Sequence, residues 1–96
     1  MDNVSFKLAM FIKCAVSDER ISRTQLSLYI ALLNCWLEQN CNEQFKITRK
    51  LVMQQSKIPA ISTYHRSLKK LIFFGYIEYE PTFDHYKGSK VKIILK

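Results

Sequence analysis

TYHRSLKKLIFFGYIEYE, residues Thr63–Glu80, changes its period at a single glycine. Before Gly75, the residues Tyr64, Leu68, Leu71 and Ile72 recur at i, i+4, i+7 and i+8, the spacing of one buried helical face. After it, Ile77, Tyr79, Pro81 and Phe83 alternate with Glu78, Glu80 and Thr82, which predicts a strand with one buried side. Gly75 suits the left-handed residue that commonly closes a helix. Ser62, Thr63, His65, Arg66, Lys69 and Lys70 fall largely outside the apolar stripe, so the helix carries a polar, basic surface over a buried one.

The flanking segments fit around this stretch. DHYKGS predicts a loop, and Val91, Ile93 and Leu95 alternate with Lys92 and Lys96 in a returning strand, so residues 77–95 read as a β-hairpin. Pro81 cannot donate to a ladder and belongs at an edge or bulge. Upstream, Pro59 fits the first helical position, where its missing N–H would have no partner, and the helix extends to about Phe74. Phe45, Lys46 and Ile47 alternate like a short edge strand. Thr48 then offers an N-cap for a short helix, RKLVMQQS, whose Leu51, Val52 and Met53 turn inward.

The longest helix spans about Ser22 to Gln39, after a polar connector, SDERISRT, that offers Ser17, Asp18, Ser22 and Thr24 as caps. Leu26, Tyr29, Ile30, Leu33 and Leu37 form one stripe and Leu28, Leu32, Cys35 and Trp36 a second, so this helix must be covered on two sides. The first segment, about Val4 to Val16, is apolar on more than one face and cannot stand alone in water. It closes the core of a monomer or meets a second copy of the chain as a dimerisation element.

Ninety-six residues make one domain with a single modest core. Only four residues are Gly or Pro, and no repeat, linker or low-complexity tract interrupts the periodic segments. The net charge of +7 is unevenly placed: residues 1–48 hold five basic and five acidic side chains, residues 49–96 ten basic and three acidic. A merely solvated face is the bland reading, but so local an excess points to a polyanionic partner, nucleic acid above all.

Other classes find less support. The acids of the basic half are Glu78, Glu80 and Asp84; Glu78 and Glu80 share a strand face and could bind a divalent ion, but exposed strands often carry acids for solubility. No nucleophile–base set or Gly-rich phosphate loop accompanies them, so the expectation is a binding protein without catalytic residues, metal or cofactor. Cys14, Cys35 and Cys41 form no CxxC pair, match no zinc-ligand spacing with His65 or His85, and read as reduced thiols of an intracellular protein. The N-terminus has Asp2 in place of a basic n-region, its apolar run is broken by Lys7 and Lys13, and no cleavage site follows. No stretch approaches the ~20 apolar residues of a spanning helix, so the expected location is the cytoplasm, without membrane contact.

The order helix, short strand, short helix, turn, helix, Gly, hairpin resembles the winged helix-turn-helix fold over about Ser22 to Lys96. The implied class is α+β: a three-helix core, a C-terminal β-hairpin wing and an extra N-terminal helix. Within it, STYHRSLKKLIFFGYIEY looks like a recognition helix anchored by Leu68 and Leu71, ended by Gly75 and followed by an apolar pair entering the wing. The longer stretch SKIPAISTYHRSLKKLIFFGYIEYEPTFDHYKGSKV is similar to small winged-helix proteins of bacterial conjugative and other mobile elements. Thr63–Arg66, Gly75–Ile77 and Lys87–Ser89 carry that match, whereas Ala60 stands where a serine cap belongs.

The resemblance implies double-stranded DNA as partner. Ser62, Thr63, His65 and Arg66 would meet base edges in the major groove, with Arg66 suited to a bidentate contact with guanine. Lys69 and Lys70 would neutralise phosphates, and Thr48, Arg49 and Lys50 would hold one at the start of the preceding helix. Lys87, Ser89 and Lys90, with His85 and Tyr86, would reach the backbone or the minor groove. Tyr64 reads as core, Tyr76, Tyr79 and Phe83 as sheet packing, and His65 also suits a bond to a neighbouring loop. Three functions share these residues. The first is a sequence-specific transcriptional regulator, as monomer or homodimer; the second is an architectural accessory working with recombination, transfer or replication proteins of a mobile element; the third is a winged helix used only for protein contact.

Overall fold

The computed structural model describes residues 3–82 and 87–95. Along the chain run α1 (Asn3–Ser17), α2 (Arg23–Glu38), β1 (Phe45–Ile47), α3 (Arg49–Ser56), α4 (Ile61–Phe73), β2 (Ile77–Glu80) and β3 (Ser89–Ile93). The class is α+β, with an antiparallel sheet ordered β1-β3-β2. Phe83, Asp84, His85 and Tyr86, all assigned above to the hairpin and its loop, lie outside the described residues.

Local chemistry sets the helix starts. Ser22 Oγ accepts the Gln25 N–H at 3.2 Å while Gln25 Oε1 accepts the Ser22 N–H at 3.1 Å, a reciprocal box that satisfies two orphan donors of α2. The Thr48 hydroxyl accepts the Leu51 N–H at 3.3 Å and opens α3 as expected. At α4 the N-cap is Ala60, which makes no side-chain hydrogen bond. Pro59 therefore precedes the cap and does not occupy the first helical position. Lys57 closes α3 in the left-handed conformation, φ 62°, an unusual choice for a residue with a Cβ.

Helix α2 is the hub, packing against α1, α3, α4 and β1. Leu28, Leu32, Cys35 and Trp36 are buried, as are Tyr29 and Leu33 of the other stripe. Ile30 and Leu37, expected inside, stay 43% and 38% exposed: they sit on the flank where cover from the neighbouring helices stops. Leu51 and Ile72 correct the expectation in the same way and are exposed, and Met53 is half-buried. The buried arc of α4 is Tyr64, Ser67, Leu68 and Leu71, and Ile72 lies about a quarter-turn from its middle.

In the sheet, Phe45 and Tyr79 both face Val91, and Ile77 faces Ile93. Phe45, Ile47, Ile77, Val91 and Ile93 point into the core, while Leu95, past the end of β3, is exposed. The outer edge of β1 is covered by Gln39, whose Oε1 accepts the Lys46 N–H at 2.9 Å and whose Nε2 donates to Lys46 O at 2.7 Å. Gly75 has φ +81°, the left-handed value expected of it. Gly88 has φ +73°, and a Cβ there would stand 2.7 Å from the Ile47 carbonyl oxygen, so the chain enters β3 against β1 at a position no side chain can share.

Tyr76 is not sheet packing. It is buried just ahead of β2, edge-on to Tyr29 at 5.3 Å, with its hydroxyl 2.8 Å from Asp18 Oδ2 and 3.2 Å from Cys14 O, to which it can donate. Asp18 also accepts from Arg20 at 2.7 and 3.0 Å, and the Arg20 guanidinium lies 4.5 Å from the centre of the Phe74 ring. The connector between α1 and α2 is thus latched to the end of α4. Hydrogen bonds from Arg20, and then from Tyr76, hold the Asp18 carboxyl well below the usual carboxylate range.

Two outcomes follow from this geometry. Because the folded-state pKa of Asp18 lies below its unfolded value, its contribution is present above about pH 4 and fades as pH falls further. Asp18→Asn should therefore lower stability near neutrality and flatten its decline in acid, read from Trp36 fluorescence in urea titrations at several pH values. Gly88→Ala should cost at least about 1–2 kcal/mol by the same titration, from left-handed strain plus the Ile47 contact.

Candidate nucleic-acid interface

Helix α4 is held in one rotation. Tyr64, Leu68 and Leu71 face the core, and burial pushes the Tyr64 phenol up to about 12, so it stays a neutral core group. Ser62, His65, Arg66, Lys69 and Lys70 are exposed in consequence, and Thr63 is half-buried. The His65 ring meets Tyr64 edge-on at 5.4 Å. Lys70 leans toward the C-terminal end of the helix, its Nζ 5.9 Å from the Phe73 ring and 5.8 Å from the Phe74 ring.

A groove of about 360 Å³ opens where the start of α3, the first turns of α4 and the β2–β3 region converge. It unites Thr48, Arg49, Lys50, His65 and Ser89, which come from three separated segments of the chain. Tyr64, Tyr79, Thr82 and Gly88 also line it, and among the described residues no carboxylate does. Two of the polar groups have structural work as well. The Thr48 hydroxyl caps α3, and Ser89 Oγ accepts from the Tyr79 hydroxyl at 3.0 Å, which leaves the Ser89 proton free to be donated elsewhere. A concave site with cationic side chains, hydroxyl donors and the N-terminal amides of α3 is suited to an anion.

Not every expected residue joins this groove. Lys87 and Lys90 line an adjoining one of about 400 Å³, on the far side of Gly88. Ser62, Arg66 and Lys69 stand on the open outer face of α4. His85 and Tyr86 lie outside the described residues. Glu78 and Glu80, considered above as an ion site, are cross-strand neighbours of Lys92 and Lys90, which offset their charge. Lys92 also pairs with Glu43 at 2.8 Å, and that hydrogen bond raises its pKa. Among the described residues, no three His, Cys, Asp or Glu side chains come together to hold a metal ion, and the three cysteines are free thiols.

Sequence reading missed Phe73, 80% exposed at the far end of the outward face. Its spacing of i+4 from Lys69 and i+7 from Arg66 was the available signal. It also missed Lys46, whose place beside Lys90 depends on strand register. Comparisons with protein-family models, with curated proteins and with solved structures found no match to this chain.

Proposed function

We propose that this chain is a winged helix-turn-helix protein that binds double-stranded DNA and acts as a sequence-specific transcriptional regulator. One observation carries the reading: the exposed face of α4 bears Ser62, His65, Arg66 and Lys69, directly beside a basic groove built from α3 and the wing base, which no carboxylate lines among the described residues. The thirteen residues of α4 span about 20 Å, so its N-terminal half can lie in a major groove about 12 Å wide. Arg66 then reads a base edge, His65, Thr63 and Ser62 meet neighbouring bases or sugars, and Lys69 and Lys70 neutralise phosphates. Arg49 and Lys50 hold the strand that passes the start of α3, and Ser89, Lys87 and Lys90 hold it at the wing. The role is binding, without catalysis, metal or cofactor; a DNA partner together with free thiols favours a reducing intracellular compartment, and the resemblance to mobile-element proteins favours the cytoplasm of a bacterial cell.

Phe73 favours a second reading, an architectural accessory in excision, transfer or replication initiation of a mobile element. This exposed ring, at the C-terminal end of α4, is available to a neighbouring bound protein when the N-terminal half of the helix lies in the groove.

Exposed Phe6 and Val16 on α1, and Ile30 and Leu37 on α2, support association of two copies through the N-terminal half. That half has balanced charge, so two copies can approach there without the repulsion the basic half would impose.

The direct test is binding of a random duplex across a salt series. Log affinity should fall linearly with log salt, and Lys69→Ala should reduce the slope by about 0.9. At a selected site, Arg66→Ala should lose ~1–3 kcal/mol and relax discrimination at one base pair. Absence of binding by the native chain at low salt would overturn the reading. Sedimentation should show a dimer that Phe6→Asp dissociates; an 11.4 kDa monomer at every concentration would restrict α1 to closing the core.

A further inference from the structure

The outer face of the sheet holds a charge arrangement with no internal explanation. Lys46 on β1 stands directly opposite Lys90 on β3, and Lys90 stands opposite Glu80 on β2, so the three form one cross-strand row on the exposed face. Two lysines directly opposed across a ladder repel each other and cost the sheet stability. Lys87 joins them from the wing, and the four side chains surround the 400 Å³ groove with three positive charges against one negative. The row below carries no positive excess, because Lys92 meets two acids, Glu78 across the ladder and Glu43 through an ion pair.

This second groove is not isolated. Thr82 and Gly88 line both it and the groove at the start of α3, so the two meet at Gly88. Gly88 is the saddle between them. With no side chain there, and none able to fit against the Ile47 carbonyl, Gly88 presents only backbone where the two grooves meet.

We infer that the DNA backbone track continues over Gly88 onto the outer face of the sheet, where Lys46, with Lys87 and Lys90, holds a further stretch of phosphates. This rests on the DNA-binding reading above and deepens it: Lys46 becomes a phosphate contact, and the protein covers more of the duplex than the recognition helix and wing alone. A phosphate between Lys46 and Lys90 relieves their repulsion, and its release of counterions adds to the salt dependence. Glu80 opposes the track and trims its affinity.

The test measures affinity for a random duplex across a salt series with four exposed-residue variants: Lys46→Gln, Glu80→Gln, Lys69→Ala and Lys13→Ala. Lys46→Gln should weaken binding and reduce the log–log slope by about 0.9, as Lys69→Ala does. Glu80→Gln should tighten binding several-fold, an effect that damage to the fold would not produce. Lys13→Ala, on the outer face of α1, should leave the slope unchanged. If Lys69→Ala lowers the slope and Lys46→Gln does not, the track ends at Gly88 and this inference fails while the DNA-binding reading survives. If Lys13→Ala lowers the slope as much as Lys46→Gln, only overall charge is acting and the track is overturned. If the native chain does not bind at low salt, both fall together.

Discussion

The rotation of α4 about its own axis governs everything else in this structure. Tyr64, Leu68 and Leu71 are each at most 4% exposed, and full burial of one such side chain is worth about 1.5–3 kcal/mol. A turn of the helix by one residue position would pull these groups into water. It would also drive Arg66 or Lys69 toward the core, where an unpaired charge costs several kcal/mol more. No alternative rotation competes, so the basic face is as firmly fixed as the core beneath it.

Around that helix, three short-range devices shape the concave surface. Thr48 starts α3 at the end of β1, which sets Arg49 and Lys50 beside His65. The left-handed Lys57 turns the chain sharply into α4. Gly88 lets the start of β3 close against Ile47, while the Tyr79–Ser89 hydrogen bond ties β2 and β3 together. At the opposite end of α4, the latch of Tyr76, Asp18, Arg20 and Phe74 fastens the α1–α2 connector to the helix terminus. The helix is thereby held at both ends by contacts that leave its outer face uncovered.

Much of this was legible in the sequence because it is local. The period of α4, its glycine stop, the Thr48 cap and the alternation of Val91 and Ile93 all depend on residues a few positions apart, whereas the alternation after Ile77 fades, with Tyr79 half-buried and Pro81 exposed beyond β2. What could not be read depends on distance or on the width of cover. Periodicity identifies a face but not how far round the helix its neighbours reach, so Ile30, Leu37, Leu51 and Ile72 were placed inside. Tyr76 finds Asp18 across 58 residues, and no pattern near either residue announces the pair. Lys46 and Lys90 become neighbours only through strand register, and one residue of slip would separate them. Pro59 illustrates a local rule overridden: a first-turn proline was available, but the helix begins one step after the uncapped Ala60.

The central claim is that the exposed face of α4 and the adjoining grooves meet DNA. The most direct measurement is a titration of the isotope-labelled chain with a short random duplex at low salt, followed by amide chemical shifts. The account predicts shifts confined to residues 46–50, 62–70 and 87–90, with the α1 amides unmoved. Shifts concentrated on α1 and the outer flank of α2, with α4 silent, would contradict it.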